Sequence, residues 1–168
     1  PQSLLYLNCS QTNIRDLPLP LPPSLTHLDC CGTSISSLPQ MLPVSLTHLN
    51  CGFTLLSTMP EQLPATLTFL DCGSTYINTM PSSPPSPFLT YLDVSCTSID
   101  TLPQPLPASL IHLNVCHTSI SALPRTLPAS LEHIDCSILA HVSALPPLPP
   151  KLHTLACWST PITEVPPL

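Results

Sequence analysis

The chain repeats itself every 21 residues, and that period leaves few folds open to it. The segment "LLYLNCSQTNIRDLP" returns as "LTHLDCCGTSISSLP", "LTHLNCGFTLLSTMP", "LTFLDCGSTYINTMP", "LTYLDVSCTSIDTLP" and "LIHLNVCHTSISALP". Two looser copies follow, "LEHIDCSILAHVSALP" and "LHTLACWSTPITEVP". The copies start at Leu4, Leu25, Leu46, Leu67, Leu89, Leu110, Leu131 and Leu152, so every step is 21 residues except one of 22 between Leu67 and Leu89. A unit this short cannot enclose its apolar residues alone and buries them by stacking on its neighbours. The 168 residues therefore read as a single solenoid of about eight repeats, spanning 1–168.

Each unit has two halves. In "LTHLDC" the apolar Leu28 and Cys30 alternate with His27 and Asp29, the period-2 pattern of a strand with one buried face. Ile35 and Leu38 then turn inward before prolines arrive at Pro39 and Pro43. Proline fixes φ and removes a backbone donor, so the returning half cannot be helical. Extended, polyproline-II-like segments are expected there, and because they are thin the coil should curve gently, with the sheet on its concave face.

The unit L-x-x-L-x-C-x-x-T-x-I-x-x-L-P resembles the leucine-rich repeat, which places apolar residues at the same offsets. The short period and the "LP…LP" spacing are similar to the class found in type III-secreted bacterial effectors, including YopM-like proteins and effector ubiquitin ligases. The resemblance covers the whole chain and implies a protein–protein interaction scaffold. It also implies that the catalytic cysteine of the ligase effectors lies in a separate domain, which nothing here matches.

Two departures from the repeat carry structural expectations. "PSSPPSPFL" (81–89) holds the extra residue of the long step, and a bulge is expected there on the convex side. "CSILAHVSALP" is one residue longer after Cys136, and the register recovers by Leu152. The opening "PQSLLYL" and closing "VPPL" lie inside the repeat pattern without caps, so the expectation is a fragment of a longer chain, or open ends that meet other subunits.

Composition excludes several classes. With 25 prolines a disordered linker comes to mind, but 43% of residues are hydrophobic and only 7% charged, the reverse of a disordered composition. No run approaches the roughly 18 apolar residues of a membrane span. The net charge of −6 includes only three cations, Arg15, Arg125 and Lys151. Phosphate backbones and anionic membranes need clustered Lys and Arg, so neither nucleic acid nor membrane is expected as a partner.

Cys9, Cys30, Cys51, Cys72, Cys136 and Cys157 share one inward strand position, which Val94 and Val115 fill in the other two repeats. A position that exchanges Cys with Val needs a small apolar group, so a reduced, buried cysteine ladder is expected. Rungs about 4.8 Å apart would hold parallel side chains whose Cβ atoms sit too wide for a bridge. Cys31, Cys96 and Cys116 fall just past the strand, with His117 at the position of Cys96, where a soft-metal or redox pair is conceivable. Thr12, Thr33, Thr54, Thr75, Thr97, Thr118 and Thr160 form a second ladder. It is expected to face inward and satisfy turn backbone; an outward row would instead suggest ice binding.

The outward strand positions form two columns. One reads Tyr6, His27, His48, Phe69, Tyr91, His112, His133, Thr154; its neighbour reads Asn8, Asp29, Asn50, Asp71, Asp93, Asn114, Asp135, Ala156. Amphipathic rings beside carboxylates and amides suit a protein or peptide partner on the concave face. That makes Tyr6, His27, Asp29, His48, Asn50, Phe69, Asp71, Tyr91, Asp93, His112, Asn114, His133 and Asp135 the candidate binding residues. Other readings are columns propagated by duplication alone, filament assembly through open ends, and metal binding by the His and Asp columns. Neutral His and carboxylate suit borderline metals, but flat columns do not converge on a point. No cofactor is expected. Nor is catalysis, because the His and Asp side chains point outward while the adjacent ladder Cys points inward. Free thiols favour a reducing compartment, the cytoplasm or a host cytoplasm if the chain is exported. The "NCS" at 8–10 matches a glycosylation acceptor but lies inside a strand pattern.

Overall fold

A computed structural model of the chain describes residues 2–82 and 85–167. Eight three-residue strands, β1 (Tyr6–Asn8), β2 (His27–Asp29), β3 (His48–Asn50), β4 (Phe69–Asp71), β5 (Tyr91–Asp93), β6 (His112–Asn114), β7 (His133–Asp135) and β8 (Thr154–Ala156), form one parallel sheet in chain order. The register is the repeat itself: Tyr6 pairs with His27, His27 with His48, and so on to Thr154. No helix occurs among the described residues, as the prolines require.

Each rung contributes the same inward set. In the second repeat Leu25, Leu28, Cys30, Ile35 and Leu38 are buried, and their equivalents continue the core along the axis. A fully buried Leu or Ile contributes about 2 kcal/mol through lost apolar surface. The core therefore grows by a similar increment with every repeat. In the lengthened seventh repeat Leu139 and Val142 both point inward, so the extra residue is absorbed without opening the core.

Backbone groups find partners on neighbouring rungs well beyond the short strands. Thr26 N and His27 N both donate to Leu5 O, Cys30 N donates to Asn50 O at 2.8 Å, and on the far side of the turn Ser34 N reaches Ile14 O. The return to the strand is closed by a β-turn in which Leu25 N donates to Pro22 O, repeated from Leu46 to Leu152. A hydroxyl just before that leucine joins rungs: Ser24, Ser45, Thr66, Ser109 and Ser130 each share their single proton between two carbonyls within hydrogen-bond distance. Ser86 holds Ala65 O in the irregular repeat. The segment 81–89, where a bulge is expected, includes Ser83 and Pro84, which lie outside the described residues.

After each strand the chain turns through the left-handed region. Gln11, Gly32, Phe53, Ser74, Cys96, His117, Ile138 and Ser159 all have φ between 52° and 66°. Only one of these eight is glycine, although the conformation costs any other L-residue roughly 1–2 kcal/mol. The turn survives because its polar groups are satisfied from both sides. The threonine ladder faces inward, and Thr33 Oγ1 donates to Cys30 O at 2.7 Å, with the same bond in six other repeats. A surface role for that row is thereby closed, since Thr33, Thr54, Thr75, Thr97 and Thr118 are buried.

All nine cysteines are free thiols. In the ladder Cys9, Cys30, Cys51, Cys72 and Cys136 each donate their S–H to the carbonyl of the next rung, at 3.2–3.5 Å. Burial pushes Cys30 and Cys136 up to about 12, neighbouring thiol and carboxylate charge adding to the effect. At neutral pH these sulfurs are protonated and inert.

Two adjacent substitutions test the turn with opposite signs. Phe53→Asn, which relieves an exposed bulky side chain in the left-handed region, should raise stability by about 1 kcal/mol. Thr54→Val, which orphans Cys51 O, should lower it by about 1–2 kcal/mol; denaturant unfolding reads both. In native protein Cys96 should react fastest with a chromogenic disulfide reagent and Cys31 and Cys116 more slowly. Cys30, Cys51, Cys72 and Cys136 should react only after unfolding.

Candidate functional site

The period-2 pattern of each strand turns its two flanking residues to one face, and the in-register parallel sheet lines them up along the axis. All thirteen candidate residues are brought onto this face, in two adjacent columns.

The first column is a continuous stack of rings. Centroids are 5.6 Å apart for Tyr6–His27, 5.1 Å for His27–His48, 3.9 Å for His48–Phe69, 4.3 Å for Phe69–Tyr91, 5.7 Å for Tyr91–His112 and 4.2 Å for His112–His133. The central rings are almost parallel, 7° and 8° for His48–Phe69 and Phe69–Tyr91. Such pairs contribute about 0.5–1.5 kcal/mol each beyond their area. His153, not among the candidates, approaches the far end at 6.2 Å from His133. Because faces are covered by neighbours, the interior rings offer their edges to solvent.

The ring nitrogens meet threonine hydroxyls. Thr26 Oγ1 lies 2.9 Å from His27 Nδ1 and also 2.9 Å from Leu5 O. Leu5 O also accepts from Thr26 N and His27 N, and the donor in the Thr26–His27 contact follows the imidazole tautomer, so the contact orients the ring without assigning its proton. His133 Nδ1 and Thr154 Oγ1 lie 2.7 Å apart. Burial lowers the pKa of His48 and of His112, the neighbouring His27 and His133 adding to the shift while Asp29 and Glu132 respectively oppose it.

The second column has a structural task that the strand pattern alone does not reveal. Its side-chain oxygen accepts the backbone N–H two residues on: Asp29 from Cys31, Asn50 from Gly52, Asp71 from Gly73, Asp93 from Ser95, Asn114 from Cys116 and Asp135 from Ser137, at 2.8–3.2 Å. Asn8 does the same for Ser10. These Asx turns enter the left-handed bend. The signal was present in the sequence, since only Asp and Asn occupy the position until Ala156.

Asp71 and Asp93 are register partners on β4 and β5. A Cβ on Gly52 would come within 3.0 Å of Asp71 Oδ1, and one on Gly73 within 2.9 Å of Asp93 Oδ1, so these glycines make room for carboxylates to settle against the sheet. Burial raises Asp71 to about 6, with Asp93 and Asp29 adding to the rise and the Gly73 N–H opposing it. Asp93 is held from the side by Asn114 Nδ2 at 2.8 Å. The two columns frame a shallow groove of about 280 Å³ between Tyr91 and Thr154, floored by Leu113 and Ile134.

Among the described residues no group of three or more His, Cys, Asp or Glu side chains is placed to hold a metal ion. The stacked imidazoles lie side by side rather than around a common point.

No family model and no curated protein sequence matches the chain. Solved structures do. YopM from Yersinia enterocolitica is 33% identical with a TM-score of 0.92, over 100% of this chain and 36% of that one. A Shigella effector LRR domain is 29% identical with a TM-score of 0.75, over 84% of this chain and 61% of that one. YopM from Yersinia pestis is 28% identical with a TM-score of 0.68, over 95% of this chain and 56% of that one. The chain thus spans between 36% and 61% of the length of these structures. It is a leucine-rich-repeat solenoid of the short, 21-residue kind, similar to the repeat domains of these bacterial effectors.

Proposed function

We propose that this solenoid is a non-catalytic recognition scaffold that binds a protein or peptide on its concave sheet face. The observation that carries the reading is the uninterrupted ring column from Tyr6 to His133, flanked along its length by Asp and Asn. A half-buried strip of rings supplies contact area at little conformational cost, and the neighbouring column supplies hydrogen-bonding groups. The strip spans six rung spacings, about 29 Å at ~4.8 Å each, a length suited to an extended segment or an edge of a folded partner. The likeness to effector leucine-rich-repeat domains supports a scaffold role. The imidazoles contact rings and threonine hydroxyls, an arrangement suited to presenting a surface rather than activating a nucleophile.

A random-peptide display selection on the folded chain tests this. Peptides enriched on the native protein should lose at least about tenfold in affinity for the double variant Phe69→Ser, Tyr91→Ser, since central aromatic anchors dominate recognition surfaces. They should keep their affinity for Met41→Glu on the outer face. Circular dichroism would verify that both variants remain folded. Enriched peptides that are lost with Met41→Glu and kept with the double variant, or no enrichment at all, would overturn the concave-face reading.

A further inference from the structure

Resting on the concave-face reading, we propose that the partner of this face is a basic segment, its Arg or Lys side chains aligned on the carboxylates of Asp29, Asp71 and Asp135. Three observations converge on that chemistry. Stacking covers the faces of the interior rings, so an aromatic partner has no open face to stack on in the middle of the column. What remains uncommitted accepts hydrogen bonds: the second carboxylate oxygens of Asp29, Asp71 and Asp135 have no hydrogen-bond partner among the described residues, whereas both oxygens of Asp93 are taken by Ser95 N and Asn114 Nδ2. Arg and Lys are the side chains that only donate. Finally, the face carries no cation of its own. Arg15, Arg125 and Lys151 are exposed and lie off the strands, and the ion pair found among the described residues joins His153 and Glu132 at 4.0 Å.

The spacing of the carboxylates adds selectivity. Asp71 and Asp93 sit on adjacent rungs, about 4.8 Å apart, while Asp29 and Asp135 lie two rungs to either side, about 10 Å away. The central contact falls on Asp71, while buried Asp93, its two oxygens bonded to Ser95 N and Asn114 Nδ2, adds negative charge beside it. Burial is the main cause of the elevated pKa of Asp71, and the Asp93 and Asp29 charges add a smaller part that an arriving cation would relieve.

Acid should oppose this binding. Falling pH protonates Asp71 near 6 and then places positive charge on the ring column. His48 is faced by His27 and Asp29, and His112 by Tyr91, His133 and Glu132, so each imidazole that becomes charged sits beside the Asp column a basic partner would occupy.

The Asn residues already present at equivalent positions make a clean test possible. Asn50 and Asn114 keep the Asx turn without charge, so Asp29→Asn, Asp71→Asn and Asp135→Asn combined should preserve the fold. The probe is a fluorescein-labelled (Arg-Ser)6 peptide, with (Gln-Ser)6 and (Glu-Ser)6 as controls, read by anisotropy at pH 7.5 and low salt. The basic peptide should bind, and should weaken at least about tenfold in the threefold variant, at 0.5 M salt, and at pH 5. Thermal unfolding of the variant should stay within a few degrees of the parent. Equal binding of (Gln-Ser)6, full retention of (Arg-Ser)6 by the variant, or stronger binding at pH 5 would each overturn a charge-selected partner. If (Arg-Ser)6 fails to bind while display-selected peptides still require Phe69 and Tyr91, the basic partner is wrong and the concave-face reading stands. If those peptides also fail to require the rings, both are wrong.

Discussion

The rung-to-rung backbone ladder is the constraint on which everything else in this molecule depends. Strands of only three residues would be marginal by themselves, yet the inter-repeat bonds continue past both strand ends, from Thr26 N on one side to Ser34 N on the other. Each repeat thus hands its neighbour a fixed spacing and register. Side chains at one repeat position must then tolerate close copies of themselves along the axis. Cysteine suits the third inward position because it is small and its S–H finds the next rung's carbonyl, while valine at Val94 and Val115 forgoes that weak bond without disturbing the packing. The same periodicity that stacks thiols inside stacks rings outside, so core and candidate face share one cause.

The left-handed bend after each strand is the main local cost of this geometry. Its non-glycine occupants are held there by a consistent set of bonds: an Asx oxygen before the bend, a cross-rung N–H within it and a threonine hydroxyl after it. The seventh repeat shows what happens when one part is missing. Leu139 stands where threonine should, and Ser137 Oγ is buried without a hydrogen-bond partner. Ile138, a β-branched residue, occupies the bend itself at φ 56°. Three departures in consecutive residues make this repeat the weakest link by local criteria, although its leucine and valine core remains intact.

The sequence was legible wherever a position is read by apolarity. The period, the inward set of Leu25, Leu28, Cys30, Ile35 and Leu38, and the two outward columns all follow from alternation and stacking. It was less legible where a polar side chain serves its own backbone. Asp29 looked like a surface carboxylate, yet one of its oxygens caps Cys31 N. Ser24 falls outside the apolar pattern, yet its hydroxyl lies within hydrogen-bond distance of Gln2 O and Leu4 O. The left-handed turn was masked because only Gly32 among its eight occupants advertises it. Stacking of the rings was hidden for a different reason: it depends on χ angles shared between rungs, which no one-dimensional pattern encodes.

Stacking also changes what the face can recognise. A row of isolated aromatic residues would invite cation–π contacts or intercalation of a partner's rings. Once the rings have stacked on each other, those modes are confined to the ends of the column, and the interior speaks through ring edges and the adjacent Asx column. One oxygen of each side chain is already committed to the turn, which orients the carboxylates and leaves the second oxygens of Asp29, Asp71 and Asp135 without a hydrogen-bond partner among the described residues. Under the proposed concave-face binding, such a face would discriminate by the pattern of charge along rungs about 4.8 Å apart. It gains little from the shape of any single pocket. Changing an Asp to Asn, or the reverse, would retune the charge pattern while sparing the turn, so the repeat can vary its recognition code at a position whose structural role both residues fulfil.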